Sequence, residues 1–123
     1  MKSFASLNRK PLDYFKPQEM IDKLGLTQTD DEHGECTVPV IVKSVWISLS
    51  SEYRADKKSA VAELAGDYEG IAVNLPPHMI PVVEEVLRDG ESLSLIARGR
   101  VGIAFYNYEN NFGEQAGVFW VDL

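Results

Sequence analysis

The chain has 123 residues, 45% hydrophobic and 25% charged, which fits one globular domain and excludes a disordered chain. Its formal charge is −7, and its single cysteine, Cys36, excludes a disulfide scaffold and a Cys-based zinc site. No apolar run approaches the ~20 residues of a membrane span, and MKSFASLNRKPLDYF lacks a signal-peptide core. The expectation is a soluble, cytoplasmic domain with no membrane partner.

The elements follow in chain order. Pro17-Gln-Glu-Met-Ile-Asp-Lys-Leu-Gly25 predicts a short helix, with Pro17 in its first turn and Gly25 just past its stop. Thr27–Gly34 (TQTDDEHG) reads as an acidic turn or loop. Residues 38–49 (VPVIVKSVWISL) are rich in β-branched types and predict a strand. Alternation puts Ile41, Val45, Ile47 and Leu49 on one face, with Lys43 an exception, and Val42, Ser44, Trp46 and Ser48 on the other. Residues 59–65 (SAVAELA) predict a short helix stopped by Gly66. Residues 70–75 (GIAVNL) predict a strand closed by Pro76-Pro77.

Residues 79–89 predict a second helix with Ile80, Val83, Val86 and Leu87 as its apolar stripe and Gly90 as its C′ residue. Three strands are then expected, at 91–98 (ESLSLIAR), 101–108 (VGIAFYNY) and 117–123 (GVFWVDL). Asn110-Asn111-Phe112-Gly113 is a hairpin-type turn between the last two. This order predicts a mainly β, α+β domain: a small β-barrel with one helix inserted before the last three strands.

Charge is unevenly placed. Residues 1–23 carry +2, 24–42 carry −4, 43–58 carry +2, 59–97 carry −6 and 98–123 carry −1. Solvated helix faces and a polar loop explain part of this pattern. It also permits one basic surface backed by an acidic one.

Gly70-Ile-Ala-Val-Asn-Leu, the helix ending Leu87-Arg88-Asp89-Gly90, the step Gly99-Arg100-Val101 and the aromatic hairpin 105–112 together resemble the centre of bacterial single-stranded DNA-binding proteins. The resemblance covers residues 70–123. It implies an OB-like β-barrel at 37–123, with the inserted helix as a cap and residues 1–36 as an N-terminal helical extension. The family's tryptophan at the start of the strand before the helix is replaced here by Gly70-Ile71. Residues 1–36 match no part of the family.

The expected function is sequence-tolerant single-stranded DNA binding, which requires aromatic faces for base stacking and cations for phosphates. Trp46 lies between two serines on the polar side of its strand, and Tyr53 follows. Tyr106 and Tyr108 share one face of theirs, and Phe112 sits at the hairpin tip. Lys43, Arg54, Lys57, Lys58, Arg98 and Arg100 supply the charge. One of Phe119 and Trp120 should enter the core, since they point opposite ways.

The chemistry-bearing residues give no catalytic or metal pattern. His33, His78, Cys36 and the acids 30–35 lack zinc-ligand spacing, and Thr27–Glu35 lacks a calcium-loop layout. No Walker, G-x-G-x-x-G or G-x-S-x-G motif occurs. The expectation is therefore a non-enzyme without metal or cofactor.

A second reading has another character. The stretches 24–42 and 59–97 would be the working face of an acidic protein-binding module or inhibitor, of a mobile-element or phage type, acting on a basic protein. The aromatics would then be core or interface. A homo-oligomer is compatible with either reading.

Overall fold

Pro17 and Glu19 begin the first helix as the sequence predicts. Pro17 needs no hydrogen-bond partner for its nitrogen at that position, and Glu19 accepts the Lys16 backbone N–H at 3.0 Å. Gly25 stops the helix in a positive-φ conformation (79°) that costs other residues energy. In the computed structural model, which describes residues 12–49 and 58–123, this helix is α1 (Pro17–Leu24) and follows β1 (Asp13–Phe15). Then come β2 (Gln28–Asp30), β3 (Gly34–Cys36), β4 (Val40–Leu49), β5 (Lys58–Leu64) and β6 (Ile71–Leu75). Two helices, α2 (Ile80–Arg88) and α3 (Gly90–Ala97), precede β7 (Val101–Asn110) and β8 (Gly113–Asp122).

All eight strands join one mixed sheet in the order β1-β6-β5-β4-β7-β3-β2, with β8 on the remaining edge of β7. Among the described residues only β1 and β6 run parallel, and the other pairs are antiparallel. Strand β7 is the hub. It pairs with β8 along its whole length, with β4 near Gly102–Ile103, and with β3 at Tyr106. The path does not return on itself, so the mainly β expectation holds while the closed barrel does not. Residues 13–36 contribute three strands and α1 to the same sheet and core, where Met20 is fully buried.

Three local readings are corrected. Of residues 59–65, all but Ala65 form a strand, not a helix. Alanine favours helices in isolation, but here β5 lies between β4 and β6 with Ala60, Ala62 and Leu64 buried together on its core side. Of residues 91–98, all but Arg98 fall in α3, not in a strand. Asp89 accepts the Glu91 N–H at 3.3 Å and the Ser92 hydroxyl at 2.6 Å, so it caps a new helix directly after α2. Two helices, rather than one, are therefore inserted before β7. The acidic segment 27–34 is not all loop: β2 and β3 form a hairpin around a turn at Asp31–His33.

Strand β4 also explains the misplaced Lys43. The pairing with β5 slips between Val42 and Ser44, a bulge that reverses the alternation. Val40 and Val42 enter the core before it, Val45 after it, and Ile41 is left exposed. The core face of the sheet packs on the three helices through Met20, Leu64, Val73, Val83, Ile103 and Phe105.

Candidate protein-interaction surface

Alternation along β7 sends Ile103 and Phe105 into the core and Tyr106 and Tyr108 to the opposite face. Along β8 the register pairs Phe119 with Ala104 and Trp120 with Ile103. Trp120 therefore belongs to the core side, and Phe119 joins the tyrosines. The β2–β3 turn lays the His33 ring flat on Phe119, with ring centres 4.2 Å apart and planes at 6°, and tilted against Tyr106 at 4.6 Å. Tyr106 in turn contacts Tyr108 and Phe119, with ring centres 5.8 and 5.9 Å apart. Gly117 makes room for this packing. A Cβ there would lie 2.4 Å from Cζ of Tyr106, so the phenol ring covers the bare backbone of β8.

Asp30 fixes the histidine. Its Oδ2 accepts the backbone N–H groups of Glu32 and His33, each at 3.0 Å, and lies 2.7 Å from His33 Nδ1. The side-chain bond to His33, more than the two turn N–H groups, holds the Asp30 carboxyl below its ordinary value of 3.8. The Ser92 hydroxyl does the same for Asp89. Burial, and secondarily the charge of Asp30, raises the Cys36 thiol, which stays protonated. Burial, with a smaller contribution from Tyr108, raises the Tyr106 phenol.

The lowered carboxyls fix the sign of a pH effect. In the unfolded chain Asp30 and Asp89 take up protons near their ordinary value, before the folded chain does. Their contribution is complete above about pH 5 and is lost as pH falls below 4 through the lowered folded values. Melting temperature should accordingly drop between pH 6 and pH 3. The Asp30→Asn variant should show a smaller drop than the parent over the same range.

The surroundings of the aromatic cluster are acidic. Asp31 and Glu32 are exposed in the β2–β3 turn that carries His33, whereas Glu109 and Glu114, which oppose each other near the tip of β7–β8, fall by alternation on the face away from Tyr106 and Tyr108. Like charges directly across a ladder repel. Among the described residues, none of these carboxylates, nor Asp30, forms an ion pair with a lysine or arginine. Tyr108 is 43% exposed, and Phe112 at the tip is 90% exposed. Asn107 Oδ1, on the core side of β7, is buried and meets no donor among the described residues.

The residues expected to bind nucleic acid are dispersed. Trp46 is half-buried on β4, paired with Val61. It lies five residues from Ile41, while Tyr106 lies four residues from the Gly102 opposite Ile41, in the other direction. At about 3.3 Å per residue this separates the two rings by roughly 30 Å along the strands. Lys43 is within 3.6 Å of Glu63 and of Glu69, and Lys58 is 3.4 Å from Glu84. Arg98 and Arg100 are exposed in the turn between α3 and β7. Tyr53, Arg54 and Lys57 lie outside the described residues. The structure thus brings Tyr106 and Tyr108 together, adds Phe119 and His33 to them, and leaves Trp46 apart. Sequence reasoning weighed His33 only as a metal ligand or a catalytic group. The available signal was its place three residues after Asp30, the spacing of a turn closed by a side chain.

No protein-family model matches the chain, and no curated protein or solved structure matches it. Among the described residues no helix is long and apolar enough to cross a membrane, and no group of three or more His, Cys, Asp or Glu side chains could hold a metal ion.

Proposed function

We propose that this chain is an acidic protein-binding module that engages a basic surface of another protein. The observation that carries the reading is the cluster of Tyr106, Tyr108, Phe119 and His33 beside the acidic β2–β3 turn, whose Asp30, Asp31 and Glu32 form no ion pair with lysine or arginine among the described residues. Aromatic rings attract cations over their faces, and neighbouring carboxylates complete the recognition of a guanidinium. Partly exposed tyrosines are also the residue type on which interfaces concentrate their energy.

The same surroundings disfavour a phosphate backbone, which needs cations where this face carries carboxylates. Two of the lysines expected to meet phosphates face glutamates instead. Single-stranded DNA binding is the competing outcome of one experiment. Fluorescence anisotropy would compare a labelled arginine-rich peptide with oligo-dT of about thirty nucleotides, at low and high salt. The reading expects peptide binding that weakens with salt, and no saturable binding of oligo-dT. Saturable oligo-dT binding without peptide binding would replace it with the nucleic-acid reading.

A further inference from the structure

The opposite side of the sheet carries an open groove of about 190 Å³ between α2, α3 and the start of the β7–β8 ladder. Val82 and Val86 form one wall, Leu95 and Ile96 the other, and Trp120 contributes from β8. Val82 and Leu95 remain 40% and 38% exposed, although both helices bury neighbouring side chains in the core. The space is close to that of an apolar cavity of ~150 Å³ that holds a benzene ring. Its size therefore suits one aromatic ring or a short branched chain.

The polar lining is one-sided. Asp122, two residues along β8 from Trp120 and so on the same side of the strand, lines the groove, and among the described residues no lysine or arginine does. Ser92, the other polar residue, already donates its hydroxyl to Asp89 at 2.6 Å. Glu85 and Asp89 follow Val82 and Val86 at helical spacing, which adds negative potential along the same stripe. An apolar interior beside an acidic rim is the complement of an amphipathic cation. Phe119 and Trp120 point to opposite faces, so this groove lies across the sheet from the aromatic cluster.

We propose that the groove binds an organic cation with an apolar body. The ring or branched chain of an alkylammonium compound fills the space between α2 and α3, and its ammonium group lies against the Asp122 carboxylate. The probe is phenethylammonium, with neutral 2-phenylethanol as its uncharged counterpart. The reporter is Trp120 fluorescence in full-length Trp46→Phe protein, where it is the only tryptophan.

A ligand of about nine heavy atoms should bind in the millimolar range. The expected result is a saturable change with phenethylammonium and about fivefold weaker binding of the alcohol. Asp122→Asn should remove that difference, and Val86→Phe should abolish binding of both. The Trp120 indole N–H resonance of the parent protein gives the same readout if the tryptophan variant does not fold. No saturable change by about 10 mM, or equal affinity for the two probes in the parent protein, would overturn the proposal.

Discussion

Phe105→Ala should lower the unfolding free energy by about 3–5 kcal/mol, the range for truncating a fully buried phenylalanine. Phe105 has no exposed surface and is the largest fully buried side chain among the described residues. It sits where several elements meet. Its backbone N–H donates to Thr37 Oγ1 at 3.0 Å, its carbonyl accepts from Thr37 N–H at 2.9 Å, and its side chain joins the cluster containing Met20 and Val118. Neighbours fixed by both strand pairing and a helix can relax only partly into the space left behind. Marginal stability makes such a loss a large share of the total. Denaturant unfolding followed by circular dichroism would measure it. A loss under about 1 kcal/mol would mean that Phe105 is not the centre of the core.

Tyr106→Ala combined with Tyr108→Ala should weaken arginine-rich peptide binding by at least ~30-fold, whereas Trp46→Ala should leave it within about twofold. Two interface aromatics supply roughly 2 kcal/mol or more between them, and each 1.4 kcal/mol is a factor of ten. Tyr106 does more than expose a ring. It covers Gly117 and supports His33, which in turn stacks on Phe119. Tyr108→Ala alone is therefore the cleaner variant, because Tyr108 lies at the edge of the cluster and is 43% exposed. Isothermal titration of the three variants, with melting temperatures as the check on folding, separates these contributions. Equal losses for Trp46→Ala and the tyrosine pair would relocate the binding surface towards β4.

The parts legible in sequence were those where local pattern and tertiary setting agree. Helix α1 announces itself through Pro17, Glu19 and Gly25, and β7–β8 through its alternation and the Asn110–Gly113 turn. Strand β5 was missed because its alanines carry a helical preference that pairing on both edges overrides. Helix α3 was missed because Leu93 and Leu95 alternate with serines as in a strand. The decisive signal was Asp89 three residues before Ser92, in a position that also looked like the end of α2. The bulge after Val42 cannot be read from alternation alone, though Lys43 on an apolar face marked the irregularity.

The candidate site was legible in its tyrosines but not in its composition. Tyr106 and Tyr108 were placed on one face by parity. What brings His33 beside them is a long-range contact between the β2–β3 turn and β8, which sequence separation conceals. The same contact carries the acids of the turn, Asp30, Asp31 and Glu32, to the aromatics, and so changes the ligand chemistry that the face favours. Lys43 and Lys58 looked available for phosphate until the fold placed Glu63, Glu69 and Glu84 beside them.

The most direct measurement is the amide chemical-shift map of the full chain, titrated separately with the arginine-rich peptide and with oligo-dT. The account predicts that the peptide shifts residues 30–36, 106–109 and 114–119 in a salt-dependent, saturable way, while oligo-dT leaves them unmoved. Shifts with oligo-dT at Trp46, Arg98 and Arg100, and none with the peptide at the His33–Tyr106–Phe119 cluster, would contradict it.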